Sequence, residues 1–326
     1  MTPPPRVSVV VPHYNAATCI ADALESIFAQ RYDGIEVIVV NDASPDSDRL
    51  RAVLQPYLAR IVFIDAAVNV GPGAARNIGI RAARAPLVAF LDADDVWLPE
   101  FLQALVAFLP QGPFDVVYAD CEMFGDTRPG VDTRARNPPR GAITRRQLIA
   151  GDCHIFPSGT IATRAALERV GLFHEIRGLV EDFDLYMRML FAGLRIGHLD
   201  RVLVRYRVWP SSGSADPLRR LQSNVDVWRH LQTTLPFTEA ENRTIERHVA
   251  MEEAAAVRVK GKQAIAESRW QDATALFSDA KARARALGLP RKHRMKLAGV
   301  LLLLRFAPGL LLWARDKRTS NAGSNG

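Results

Sequence analysis

The chain has 326 residues, 48% of them hydrophobic and 24% charged, with a net charge of +7. That is enough apolar material for a full core, in one large domain or two small ones, and the ordinary charged fraction argues against wholesale disorder. Three cysteines, Cys19, Cys121 and Cys153, are an odd number with no short paired spacing, which argues against a disulfide framework or a structural zinc site. In chain order, Val7 to Val11 is a short, mostly β-branched run that suits a buried parallel strand. Ile20, Ala23, Leu24, Ile27 and Phe28 then recur at helical spacing. A second strand is predicted over 35–40, a polar turn over 41–47, a helix over 48–58 and a third strand over 61–64. A Gly-rich loop opens a helix over 71–83, and Leu87 to Leu91 form a fourth strand that stops at an acidic cluster. This alternation predicts an α/β fold with a mostly parallel sheet flanked by helices, and ligands bound beyond the carboxyl ends of the strands.

Further along, 114–121 is strand-like, and 125–141 is rich in Pro, Gly, Arg and Asp and is expected to be an irregular loop. Helices are expected near 165–170 and 183–191, and a strand near 202–207. Past Ser214 the pattern changes. Leu218, Leu221, Val225, Trp228 and Leu231 mark an amphipathic helix, and a helical pair follows over 238–268 and 270–287, with Trp270, Ala273, Phe277 and Ala280 inward. One such pair does not make a repeat array. The basic residues concentrate here: Arg291, Lys292, His293, Arg294 and Lys296 precede the apolar run 297–314, and Arg315, Lys317 and Arg318 follow it. Arg305 and Pro308-Gly309 interrupt that run, and a spanning helix needs roughly 20 apolar residues. An interfacial helix on anionic lipid, with Trp313 at the boundary, and an ordinary buried or partner-facing helix both fit. No aromatic platform interleaves the cations, which argues against a nucleic-acid surface. The tail beyond Thr319 is expected to be disordered. The N-terminus leads straight into a strand without an apolar leader, so a cytoplasmic protein is expected, with a peripheral association on the inner face of the membrane.

Four strand-end features stand out: Pro12-His13-Tyr14-Asn15, Asn41-Asp42-Ala43-Ser44, 69–77 and 92–95. Asp42 in a turn either bonds its own backbone or meets a ligand. The segment Gly71-Pro72-Gly73-Ala74-Ala75-Arg76-Asn77 is either a helix start with small residues for close packing, or a helix N-terminus that meets phosphate oxygens together with Arg76. The acidic cluster Asp92, Asp94 and Asp95 caps a strand that should be buried on both faces. Three carboxylates there repel one another unless a cation sits among them, and hard ions such as Mg²⁺ or Mn²⁺ take oxygen ligands and share them with phosphates. The other reading is a solvated turn in which Asp95 caps the next helix.

The blocks Val-Val-Val-Pro-His-Tyr-Asn, Val-Asn-Asp-Ala-Ser, Asn-Val-Gly-Pro-Gly-Ala-Ala-Arg-Asn-Ile-Gly and Phe-Leu-Asp-Ala-Asp-Asp, in this order, resemble the N-terminal half of the family 2 glycosyltransferases. The resemblance implies a GT-A fold and an inverting transfer from a nucleotide-diphosphate sugar, with uridine diphosphate the expected nucleotide. It implies that Pro12, Tyr14, Asn15, Asp42, Asn69, Gly71 and Ala93 line the donor pocket. It also implies that Arg76 lies near the diphosphate, that Asp92 and Asp94 form the metal-binding pair for Mn²⁺ or Mg²⁺, and that Asp95 is a further contact or a cap. Val180-Glu181-Asp182-Phe183-Asp184-Leu185 is similar to the family's Glu-Asp motif, which makes Asp182 the catalytic base with Glu181 in support. Against this, Glu181, Asp182 and Asp184 are also what a helix N-terminus favours for its own sake. Arg207, Ser212 and Ser214 fall in a segment resembling one that contacts the diphosphate. Where the family often has a histidine, this chain has Trp209, whose ring nitrogen only donates.

On this reading 1–215 is the transferase domain, with a nucleotide-sugar half over 1–110 and an acceptor and base half over 111–215. A helical extension spans 216–290, a candidate membrane-associating helix 291–318, and a tail 319–326. The expected partners are the donor, a glycan or lipid-linked acceptor and an anionic membrane, in cell-surface polysaccharide synthesis. Two alternatives stay open: a catalytically silent nucleotide-sugar-binding or scaffold subunit of envelope glycan assembly, and a sugar nucleotidyltransferase.

Overall fold

A computed structural model describes residues 6–125, 131–132, 141–178, 180–209, 216–289 and 291–308. It divides into two compact units, Met1–Ser212 and Gly213–Gly326. In the first, β1 (Val7–His13), α1 (Ile20–Phe28), β2 (Ile35–Asn41), α2 (Ser47–Leu54), β3 (Val62–Asp65), α3 (Pro72–Ala82) and β4 (Leu87–Phe90) follow the predicted alternation. Then come β5 (Val96–Trp97), α4 (Phe101–Phe108), β6 (Val116–Phe124), β7 (Val131–Asp132) and α5 (Arg145–Ala150). The unit closes with β8 (Thr160–Thr163), α6 (Arg164–Arg169), α7 (Glu181–Phe191) and β9 (Ile196–Arg207).

The strands form one sheet in the order β3-β2-β1-β4-β8-β6-β9-β5, with β7 beside β6. β1 lies between β2 and β4 and runs parallel to both. Strands this central are covered on both faces, which is why Val7, Val9, Val10 and Val11 are fully buried in an almost unbroken apolar run. The half built around β6 is mixed: β8 is antiparallel to both β4 and β6, whereas β6 and β9 are parallel. The carboxyl ends of β1, β2 and β4 therefore meet at one edge, and β1 is the strand from which the chain order runs both ways. Crevices of this kind gather the polar residues that follow each strand. Two-residue β5 pairs antiparallel with Val204 and Arg205 of β9, so the turn after β4 is held against the end of β9.

The small residues of α3 have a packing role. A Cβ added to Gly79 meets Val10 Cγ1 at 2.3 Å, so the helix lies directly on β1. A Cβ on Gly73 meets Glu181 Cγ at 3.1 Å and the His174 carbonyl oxygen at 3.1 Å, so its first turn lies against the segment leading into α7.

The second unit is helical, as expected: α8 (Pro217–Thr234), α9 (Glu239–Ala266), α10 (Trp270–Ala286) and α11 (Arg291–Phe306). Asp216 caps α8 by accepting from the Leu218 and Arg219 amides ahead of Pro217, and Thr238 with Glu241 makes a capping box on α9. Ala273, Phe277 and Ala280 are buried as the spacing predicts, and Trp270 is partly buried at the margin of the same cluster. Gly261 of α9 lets the Phe277 ring approach the backbone. α11 buries Leu297 and Leu304 in this core and exposes Met295, Leu302 and Phe306. Among the described residues, no helix is long and apolar enough to cross a membrane. Ser212, Ser214, most of the 125–141 segment and 309–326 lie outside the described residues.

Because α3 has no room above Val10, Gly79→Ala is expected to destabilise the protein by roughly 1–3 kcal/mol through overpacking. The gain in helix propensity, about 1 kcal/mol, only partly offsets this. A lowered thermal midpoint relative to wild type checks it, and an unchanged or raised midpoint would refute the close approach.

Candidate active site

The first part of the site is built on β1 and β2. The Asp42 amide donates to the His13 carbonyl at 2.9 Å, which zips the two strand ends together. Asp42 is 3% exposed, and its carboxylate accepts from Val70 N (2.7 Å), Gly71 N (2.9 Å) and Asn69 Nδ2 (2.9 Å). Its strongest partner is thus the loop that starts α3, and any ligand contact uses the lone pairs left over. Gly71 has φ +93°, a backbone conformation that a side chain resists, and Pro72 then opens the helix. Asn69 is pinned from the other side by Arg177, which donates to its Oδ1 at 2.9 Å. Asn15, with φ +52°, donates its amide to Ser44 Oγ at 2.7 Å. Pro12 is half-buried at the end of β1, whereas the Tyr14 ring is 56% exposed and open to a planar partner. Pro12, Tyr14, Asn15, Asp42, Asn69 and Gly71 thus gather at one strand-end edge.

The second part is the turn after β4. Asp92 is half-buried and accepts from Arg76 Nη2 at 2.6 Å, while its amide donates to Ser158 Oγ at 3.1 Å. Ala93 is buried in the core beneath the turn. Asp94 accepts from the Trp209 indole at 3.3 Å, and its carbonyl accepts from Arg207 Nε at 2.8 Å. Burial, and next the charge of Asp92, raise the Asp94 pKa above the usual carboxylate range. Asp95 is 1% exposed and accepts from Ser158 Oγ at 2.5 Å and the Arg207 amide at 2.9 Å. Its pKa is raised well above normal, by burial first and then by Asp94 and Asp92. Asp95 is therefore no helix cap. It is the tie that holds the turn to β9, and α4 starts at Phe101 with Glu100 before it and no side-chain cap. The rest of the Arg207 guanidinium reaches Asp22 of α1 at 2.7 Å.

Arg76 links these pieces to α7. Its side chain is 4% exposed, with Nη2 on Asp92 and Nη1 on Glu181, each at 2.6 Å. Burial opposes its charge, but the two carboxylates outweigh burial and its pKa is raised. Both of its amino groups are thus committed to carboxylates rather than free for an incoming phosphate. The neighbouring Asn77 donates to the Phe173 carbonyl and accepts from the Phe173 amide, so consecutive residues of α3 grip the approach to α7.

Asp182, half-buried in the first turn of α7, accepts the Phe183 amide at 2.7 Å. Its pKa is pushed up to about 7, by burial first and then by Glu181, with Arg76 pulling the other way. Asp184, two residues on, is fully buried with Arg188 at 2.8 Å and His174 at 3.0 Å. It is a structural charge, whereas Asp182 makes no ion pair among the described residues. Sequence reasoning missed Ser158 and Asp22. The contact of Ser158 with the acidic cluster depends on β8 entering the sheet between β4 and β6.

The profile described as Glycosyl transferase family 2 matches residues 8–171, about half of the chain. The chain belongs to glycosyltransferase family 2. It is 31% identical over 170 residues to an uncharacterized glycosyltransferase of Nostoc sp., covering 51% of this chain and 53% of that one, so it spans about half the length of that relative. It is 27% identical over 222 residues to WfaP of Escherichia coli, a UDP-Glc:α-D-GlcNAc-diphosphoundecaprenol β-1,3-glucosyltransferase, covering 67% of this chain and 84% of WfaP. The mannosyltransferase PcManGT of Pyrobaculum calidifontis, solved with GDP-Man and Mn²⁺, superposes with a TM-score of 0.59 at 21% identity, covering 99% of this chain and 87% of that one. The GT-A fold expected from the family motifs is thus present, with the helical residues following it.

The donor set suits a hard divalent ion: Asp92 and Asp94 offer carboxylate oxygens, burial and next the charge of Asp92 raise the Asp94 pKa, and a cation between them would relieve that repulsion. The Trp209 indole donates to Asp94 and orients it.

Replacing Arg76 with Met strands Asp92 and Glu181 without their shared cation. We expect a loss of about 3–5 kcal/mol. The denaturation midpoint of R76M against wild type checks this, and an unchanged midpoint would refute the bridge.

Proposed function

We propose that this member of family 2 is a metal-dependent inverting glycosyltransferase that moves a sugar from a nucleotide diphosphate, uridine diphosphate first, to a hydroxyl of a glycan or lipid-linked acceptor. The observation that carries the reading is Asp182. A carboxylate with a pKa of about 7, at the start of a helix tied through Arg76 to the acidic turn of the donor half, has the properties of a general base near neutral pH. Support for the donor comes from WfaP, whose name specifies UDP-Glc and a diphosphoundecaprenol-linked acceptor, and from PcManGT, solved with GDP-Man and Mn²⁺.

Asp92 and Asp94 would hold Mn²⁺ or Mg²⁺, which supplies positive charge to a departing diphosphate. The exposed Tyr14 ring offers a face for the base, and Asp42 orients the loop 69–71 beside it. Arg76 holds Glu181 and Asp92 on its two amino groups, so neither carboxylate competes with Asp182 for the acceptor proton. The acceptor oxygen attacks the anomeric carbon on the face away from the diphosphate. One C–O bond forms as the other breaks, the electron pair leaves on the diphosphate, and the proton passes to Asp182. A single displacement of this kind inverts the centre.

Deposition of sugar on a lipid-linked or surface glycan also fits placement at the inner face of the cytoplasmic membrane through 291–318, where basic residues flank an apolar run. A silent binding subunit would leave Asp182 without a task, and the Trp209 substitution is what favours that reading. Nucleoside diphosphate release from a nucleotide sugar in the presence of Mn²⁺ separates the two.

Asp182→Asn is expected to lower transfer by roughly 10²–10⁴-fold while leaving donor binding, read by calorimetry, near wild type. Wild-type kcat/KM should fall as the pH drops below about 7, because the protonated carboxyl no longer accepts. The stability effect has the opposite sense: a folded pKa raised from the usual carboxylate value means that Asp182 costs stability as the pH rises from about 4 to 7. D182N is therefore expected to be at least as stable as wild type at pH 7.5. Turnover by D182N at the wild-type rate would remove the assigned base.

A further inference from the structure

The second unit contains a groove of about 1000 Å³ between α10 and α11. Lys281 and Arg285 line it from α10, Arg291 and Arg294 from α11, and Met295 and Leu301 are among its apolar lining residues. Among the described residues none of these four cations has a carboxylate partner. The contrast with Arg283, on the same helix, is informative: Arg283 pairs with Asp279 and with Glu253. From Ala280 to Ala314 the sequence contains no Asp or Glu, and Asp279, just before that stretch, pairs with Arg283. Arg294 Nε is moreover buried without a hydrogen-bond partner among the described residues.

Beside these cations, α11 carries an apolar stripe that faces water. Met295, Leu302 and Phe306 are 62%, 61% and 70% exposed, at spacings of seven and four that place them on one side of the helix. The opposite side, with Leu297 and Leu304, is the one committed to the helical core. Free phosphate or a nucleotide would meet the charge but leave the stripe bare, and a purely apolar partner would leave four cations unpaired. An anionic bilayer meets both, with phosphates among the cations and acyl chains under the stripe.

We propose that the α10–α11 groove is the docking surface of this protein for an anionic phospholipid bilayer, with lipid phosphates held by Lys281, Arg285, Arg291 and Arg294. This rests on the membrane placement above and deepens it. The binding surface is a two-helix groove to which α10 contributes, not the 291–318 segment alone.

The test uses the full chain in flotation with vesicles of phosphatidylglycerol and phosphatidylcholine, against vesicles of phosphatidylcholine alone. Wild type is expected to float with the anionic vesicles only, and to be released by high salt. The K281Q/R285Q variant, changed only on α10, is expected to partition roughly 30-fold more weakly, at about fivefold per cation, with transfer to a water-soluble acceptor unchanged. The exposed positions of Lys281 and Arg285 make a folding defect easy to recognise as a lowered melting midpoint, and K281R/R285K should bind as wild type does. If wild type floats and K281Q/R285Q floats equally well, the groove is wrong while the membrane placement stands. If wild type does not float, both fail. If a chain ending at Pro308 floats and the full chain does not, residues 309–326 occupy the groove in place of lipid, and the proposal is overturned.

Discussion

The arrangement depends on one buried cation. Arg76 is almost without solvent, and a guanidinium in that position is tolerable only when carboxylates neutralise it. It has two, Asp92 from the turn after β4 and Glu181 from the start of α7, one on each amino group. Those carboxylates lie 16 and 105 positions away in sequence, so a single side chain fastens the turn after β4 to the start of α7. Asn77, next in sequence, repeats the connection through the backbone of Phe173. The alternative, three acidic side chains facing one another without a positive charge, is what the helix brings Arg76 in to prevent.

The acidic turn is fixed from its other side by neutral and backbone donors. Ser158 hydroxyl and the Arg207 amide satisfy Asp95, Trp209 donates to Asp94, and short β5 presses the turn against β9. These donors pull the pKa values of Asp94 and Asp95 down, but burial, and next the neighbouring carboxylates, outweigh them and both are raised. Four consecutive positions thus divide the work: Ala93 fills the core, Asp95 anchors the turn, and Asp92 and Asp94 are left at the crevice.

Most of the first half of the fold was legible because its signals are local. Val7 to Val11 and Leu87 to Phe90 are short apolar runs that can only be central strands, and the polar residues after them had to collect at one edge. The partners of those residues were not legible. Asp42 reads as a turn residue or a ligand contact, and it turns out to hold the Val70 and Gly71 amides, because β3 pairing with β2 brings a loop almost thirty positions away onto it. Arg76 reads as a phosphate contact, since its partner Glu181 lies 105 positions away and comes beside it only once α7 is in place. The strand β8 itself was missed: Thr160-Ile161-Ala162-Thr163 is four residues long, with no alternation, and becomes a strand because β4 and β6 offer it edges.

The start of α7 shows how far a motif can go and where geometry takes over. Glu181, Asp182 and Asp184 are equivalent to a helix dipole, and on charge alone any of them suits an N-terminal turn. Their surroundings separate them. Glu181 is spent on Arg76, and Asp184 is enclosed by Arg188 and His174. Asp182 has burial and the charge of Glu181 raising its pKa, opposed by Arg76 and by the Phe183 amide, and its proton affinity is carried to about 7. A general base must hold a proton weakly enough to release it and strongly enough to take it from a hydroxyl, and of the three carboxylates Asp182 is the one that makes no ion pair among the described residues. The chemistry of the site is therefore set less by which acidic residues the helix carries than by which of them the rest of the unit declines to neutralise.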